Sequence, residues 1–249
     1  MRFLTARHFL LCAAIALATA GFARAAETTR KAPASPPALP AMPVPNTLAF
    51  EKEILAFEAA DRTNPPPAGG VLFIGSSSIR LWKTLAEDFP KHRVLNRGFG
   101  GSQIIDSVRY HKRIVLPYKP RLIVLYAGGN DINAGKTPER VFADYQRFVT
   151  NILAALPETR IAYISIAPNP ARWAQVDKVR AANSLIEAHT RTDARLAFID
   201  VFPKMLGADG QPRPEIFVED RLHMNAEGYK LWRGIVGPVL ERWPKEGAK

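Results

Sequence analysis

Residues 122–156 read LIVLYAGGNDINAGKTPERVFADYQRFVTNILAAL, and the architecture can be built outward from them. Leu122 to Tyr126 is an unbroken apolar run with no polar alternation, as expected of a strand buried on both faces. Further on, Val141, Phe142, Tyr145, Phe148, Val149, Ile152, Leu153 and Leu156 recur at a 3.6-residue period, one apolar stripe on a helix. Thr137 is suited to cap that helix and Pro138 to open it. A second apolar run, Ile161 to Ile166, comes at once. Strand, crossover helix and strand together imply a parallel pair. Val71–Ile74, Val94–Leu95 and Leu196–Ile199 repeat the theme. Five short strands separated by helices predict an α/β chain folded as a three-layer α/β/α sandwich around a five-stranded parallel sheet. A last helix is expected to carry Leu231, Trp232, Ile235, Val236, Val239, Leu240 and Trp243 on one face, kinked at Pro238. No repeat or second composition shift divides this part of the chain, so one domain is expected.

The flanks are of another character. Residues 1–25 read as a signal peptide: Arg2 and Arg7 precede an apolar run from Phe9 to Ala18, of export-signal length and short for a bilayer span. Ala23-Arg24-Ala25 places small residues where a signal peptidase reads them. An uncleaved membrane anchor is the less favoured reading. Residues 26–45 form an Ala/Pro-rich linker, with Pro33, Pro36, Pro37, Pro40, Pro43 and Pro45 stiffening an extended spacer. The folded domain is expected over 46–249, and the location periplasmic or secreted. The sole cysteine, Cys12, falls in the signal segment, which excludes a disulfide framework or a cysteine metal site in the mature chain. Lys plus Arg number 34 against 23 acids in the full 249 residues. Losing Arg2, Arg7 and Arg24 leaves 31 basic residues against 23 acidic ones, a balance of +8.

In a sheet of this kind, ligands bind beyond the carboxyl ends of the strands. The residues just past each strand are therefore informative. Gly75-Ser76-Ser77-Ser78 comes after the first strand and precedes a helix expected from about Ile79. Asn96-Arg97-Gly98-Phe99-Gly100-Gly101-Ser102 comes after the second, and Gly128-Gly129-Asn130-Asp131 after the third. Asp220-Arg221-Leu222-His223 lies just before the last helix, for which Asn225 is a candidate cap. Hydroxyl, imidazole, carboxylate, amide and glycine backbone are the inventory of acyl transfer. Each block alone has a plainer reading: the serines as a helix cap, Gly129-Asn130 as a turn, Asp220 and His223 as dressing for the final helix. A dinucleotide loop at Gly98–Gly101 is disfavoured, because Gln103 stands where the third glycine belongs. His92, His111 and His189 are read as solvated, and no His-Glu-x-x-His zinc pattern exists.

The four blocks in this order resemble those of the SGNH hydrolases, the GDSL esterases and lipases, from Val71 to Leu240. The resemblance implies a flavodoxin-like sandwich and a carboxylic ester hydrolase without metal or other cofactor. It chooses Ser77 as nucleophile, which composition alone could not separate from Ser76 or Ser78. It makes Asp220 and His223 the rest of a triad, and Ser77, Gly101 and Asn130 the donors to an oxyanion. Two departures stand out: Ser76 replaces the usual Asp, and Ser102-Gln103 replace Asp-Thr after the glycines. On that reading His223 takes the Ser77 proton while Asp220 holds the ring, the two meeting within one turn if their segment is helical. The helix dipole behind Ser77 would favour negative charge.

Arg172 and Trp173, in the proline-stiffened loop after the fourth strand, are candidate substrate-binding residues, against a plainer reading with Trp173 packed on the next helix. The expected partner is a small-molecule, polysaccharide or lipid ester, with at most peripheral membrane association. Nucleic acid is not expected, since the basic run Arg109–Arg113 reads as a solvated helix face. The alternatives are an O-acyltransferase or a non-catalytic envelope polysaccharide-binding protein on the same fold. With no long lid insertion, an open site for small acyl groups is expected.

Overall fold

The computed structural model describes residues 49–243; the expected signal peptide and linker lie outside them. The chain runs α1 (Glu51–Thr63), β1 (Val71–Gly75), α2 (Ser77–Arg80), α3 (Leu85–Asp88), β2 (Val94–Gly98), α4 (Ile104–Ile114), β3 (Leu122–Tyr126), α5 (Gly129–Asn133), α6 (Pro138–Ala155), β4 (Arg160–Ile164), α7 (Val176–Thr190), β5 (Leu196–Ile199) and α8 (Ala226–Arg242). All five strands are parallel, in the order β2-β1-β3-β4-β5. That order, 2-1-3-4-5, is the flavodoxin-like one, with its switch point between β1 and β3.

The period of two along each strand divides the core. Leu72, Ile74, Ile123, Leu125, Ile161 and Tyr163 pack with α1, α4, α6 and α7. Val71, Phe73, Leu122, Val124, Ala162 and Ile164 face the other way, toward α2, α3 and α8. Both faces being covered, β1 and β3 are buried along their whole length. Thr137 caps α6 by accepting the Arg140 N–H, and Asn225 caps α8 by accepting that of Gly228. Pro238 does not break α8, which runs through to Arg242. The carbonyl it leaves unpaired belongs to Gly234, and both residues lie on the exposed side, where water can serve.

Three expectations need correction: the extent of β2, the solvated face at Arg109–Arg113 and the solvated histidines. The second block starts inside the sheet: β2 extends to Gly98, and buried Arg97 is paired with Asp61 of α1 at 2.5 Å. The run Arg109–Arg113 is not a solvated face either. Tyr110 and His111 are buried, and Arg113 lies between Glu51 and Glu58 of α1. Helix α4 packs on both α1 and α6, so two of its faces are covered. His111 Nδ1 lies 2.6 Å from the Val108 carbonyl, and the His189 ring packs edge-on against Phe142 and Tyr145. His92 is half-buried, its Nδ1 3.0 Å from Arg121.

Candidate active site

Gly75 ends β1 at φ +137°, and a Cβ there would fall 1.8 Å from the Tyr126 carbonyl oxygen. Only glycine lets the strand turn so tightly into a helix. The turn delivers Ser77 as the first residue of α2, two positions earlier than the sequence suggests. Helix α2 is four residues long, so the favourable dipole expected behind Ser77 is small. Hydrogen bonds from two other elements hold the turn instead: Asn96 of β2 donates to the Ile79 carbonyl at 2.7 Å, and Tyr229 of α8 donates to that of Ser78 at 3.0 Å. Ser76 is buried, with its N–H on Tyr126 and its carbonyl accepting from Ile79 and Arg80.

Residues 217–224 form a tight loop, not a helical turn. Phe217 and Met224 bridge antiparallel, the Val218 N–H donates to the His223 carbonyl, and Arg221 takes φ +58°. Asp220 Oδ1 accepts the N–H groups of Leu222 and His223, each at 2.9 Å, which curls the carboxylate back over the loop. Its Oδ2 then lies 2.5 Å from His223 Nδ1, and His223 Nε2 lies 2.8 Å from Ser77 Oγ. An ionised carboxylate only accepts, so Nδ1 carries the proton and Nε2 is left to accept the Ser77 hydroxyl. An aromatic group joins the two parts of the site: Trp82 packs against Tyr229 and Trp232, and Trp232 against Tyr126. Trp232 is fully buried. Burial of such a ring contributes about 4–6 kcal/mol of apolar transfer, seating α8, and so His223, against α2.

The Asp220 carboxyl pKa is held at about 2, chiefly by the His223 backbone N–H, with the imidazole and the Leu222 N–H adding to it against burial. A depressed carboxyl stabilises the fold above its unfolded value, about 3.9, and loses that contribution as pH falls through about 2. The window is thus between about pH 4 and 2. Because the main cause is a backbone group, which the substitution keeps, the Asp220 carboxyl should stay below its ordinary value in His223→Ala. Carboxyl carbon NMR shifts of Asp220 through an acid titration read this directly. A return to the ordinary value in that variant contradicts the backbone origin.

Asn130 sits in the first turn of α5. Its Nδ2 donates to the Ser102 carbonyl at 3.1 Å, and its Oδ1 accepts from Arg172 Nη1 at 2.9 Å. Gly101 precedes Ser102 at φ +81°, with open space where a Cβ would point. Its backbone conformation, not crowding, is what calls for glycine. Behind these two loops lies an ion network that sequence reasoning missed. Fully buried Asp131 accepts the Ile104 N–H, and Lys136 Nζ lies 2.8 Å from Asp131 and 2.7 Å from Asp144. It fastens the start of α4, just after Gly101, to α5. Burial pushes the Asp131 carboxyl pKa up, and Lys136 partly offsets this. Nothing in the local pattern around Lys136 marks it, because its partners come from α5 and α6.

Ser77, Asn130, Arg172 and His223 line one cavity of about 40 Å³, together with Tyr126, Met205, Phe217, Leu222 and Trp232. Trp173 lies beside it, in the crevice between Gly129 and Val176, packed on the core. A larger cleft of about 530 Å³, lined by Arg93, Lys119, Arg121 and Arg160, opens at the amino ends of the strands. It is at the wrong edge of the sheet to serve Ser77. No helix among the described residues is long and apolar enough to cross a membrane.

The profile of the GDSL-like lipase/acylhydrolase family matches residues 75–231. Among solved structures, a GDSL-like lipase from Bacteroides thetaiotaomicron superposes with a TM-score of 0.66 at 17% identity, over 79% of this chain and 99% of that one. A carbohydrate esterase family 3 protein from Talaromyces cellulolyticus gives 0.57 at 20% identity, over 70% and 97%. An acetyl xylan esterase gives 0.57 at 17% identity, over 68% and 98%. At these identities the likeness is one of fold. No curated protein matches the sequence significantly.

Proposed function

This chain belongs to the GDSL-like lipase/acylhydrolase family of carboxylic ester hydrolases, and we propose that it is an exported serine esterase for short acyl groups of acetyl size, working through Ser77, His223 and Asp220. One observation carries the reading: His223 bridges Ser77 Oγ at 2.8 Å and Asp220 at 2.5 Å with its two ring nitrogens. That is the geometry of a hydroxyl made nucleophilic by a base with an orienting acid.

In the proposed reaction Ser77 Oγ attacks the ester carbonyl while Nε2 of His223 takes its proton. Asp220 stabilises the imidazolium. The carbonyl oxygen becomes an oxyanion received by the backbone N–H groups of Ser77 and Gly101 and by the Asn130 amide. Collapse expels the alcohol, which collects the proton from His223 and leaves an acyl-serine. Water, activated by the same imidazole, then releases the carboxylate and restores Ser77.

The cavity of about 40 Å³ beside Ser77 supports a small acyl group, and the likeness to an acetyl xylan esterase supports acetylated polysaccharide as the substrate class. The basic and apolar pattern of residues 2–18 supports export. Hydrolysis of p-nitrophenyl esters from C2 to C12 tests acyl size: kcat/KM is expected to be highest at C2 and to fall along the series. Rates that climb toward C12 rule out the small acyl site.

A further inference from the structure

The Asn130 carboxamide has four hydrogen-bonding positions, two N–H donors and two lone pairs on oxygen. One N–H is committed to the Ser102 carbonyl at 3.1 Å, and the oxygen accepts from Arg172 Nη1 at 2.9 Å. The second N–H is left without a partner among the described hydrogen bonds, on a side chain that lines the cavity with Ser77 and His223. Turning the amide over would set its oxygen against the Ser102 carbonyl and its NH₂ against a guanidinium. Both contacts would then be repulsive. Arg172 is itself tethered: its N–H donates to Asn169 Oδ1 at 3.0 Å, and Nη1 also reaches the Gly129 carbonyl at 3.3 Å.

We propose that Arg172 is a positioning residue for the oxyanion site, its guanidinium holding Asn130 in the one orientation that turns a free amide N–H toward the carbonyl adduct of Ser77. The inference rests on the reading of Ser77 and Asn130 given above. A cation on the amide oxygen also polarises the N–H bonds, strengthening their donation to a developing negative charge. Uncharged substrate carbonyl and charged adduct differ most at this contact, so the effect belongs to kcat and not to ground-state binding.

A double-mutant cycle on p-nitrophenyl acetate tests the proposal, using Arg172→Met, Asn130→Ala, the double variant and Arg172→Lys, each checked for an unchanged melting temperature. Arg172→Met is expected to lower kcat by roughly 10- to 100-fold with KM within about two-fold of the unmutated enzyme. Arg172→Lys, which keeps a charged donor, should recover part of the loss. In the Asn130→Ala background, Arg172→Met should have no further effect, because its target is gone. Losses that multiply in the double variant overturn the proposal, as does a raised KM at unchanged kcat, which would make Arg172 a substrate contact. Should Arg172→Met fail to fold, the cycle with Arg172→Lys gives the same two outcomes. The underlying reading fails separately, through an Asn130→Ala or Ser77→Ala enzyme as active as the unmutated one.

Discussion

Ser77→Ala is expected to lower kcat for p-nitrophenyl acetate by roughly 10⁶-fold, the scale of loss when the nucleophile of a comparable triad is removed. That is about 8 kcal/mol of barrier. The reason is geometric: Ser77 Oγ is the hydroxyl 2.8 Å from His223 Nε2. Ser76 is buried in the strand-to-helix turn, and the Ser78 carbonyl accepts from Tyr229. Ser76→Ala removes a hydroxyl but none of the backbone bonds that shape the turn, so it should keep activity within about ten-fold. Side-by-side turnover of the three proteins decides the matter. An active Ser77→Ala, or an inactive but folded Ser76→Ala, moves the nucleophile.

The largest expected effect on stability lies one residue beyond Asn130. Asp131 is fully buried, ion-paired with Lys136 and hydrogen-bonded to the Ile104 N–H. Asp131→Ala would strand the Lys136 ammonium with Asp144 alone and leave a buried N–H without its acceptor. Breaking a buried pair from one side costs about 3–5 kcal/mol. For a domain of this size each kcal/mol lowers the melting temperature by roughly 2–4 °C, so a fall of roughly 6–20 °C is expected. Asp131→Asn keeps an acceptor for Ile104 and should lose less. Thermal unfolding followed by circular dichroism measures both. An Asp131→Ala protein within about 1 kcal/mol of the unmutated one shows that the network carries no net stability.

Much of this molecule is legible in local pattern. A strand buried on both faces needs an unbroken apolar run, and Leu122–Tyr126 supplies one. Thr137-Pro138 and Asn225 announce their helices because capping is a contact of three or four residues' reach. The departures have a common cause. His111 and Tyr110 look polar by composition, yet α4 lies between two other helices and buries them. Asp220 and His223 suggest one helical turn by spacing, but the Asp220 side chain takes two backbone N–H groups and closes a tight loop instead. Helix α2 likewise depends on partners from elsewhere in the chain, Asn96 on the Ile79 carbonyl and Tyr229 on that of Ser78.

Periodicity, caps and strand-end glycines act over a few residues, and they are enough to establish the layers, the parallel sheet and the edge on which chemistry gathers. Three features needed the folded molecule: the meeting of Arg172 with Asn130, the bridge of Lys136 from Asp131 to Asp144, and the small size of the cavity beside Ser77. Those contacts join separate elements, in the case of Arg172 and Asn130 across 42 residues of chain. Distance along the chain says nothing about them until the sheet order and the packing of α5, α6 and α8 bring the groups into reach.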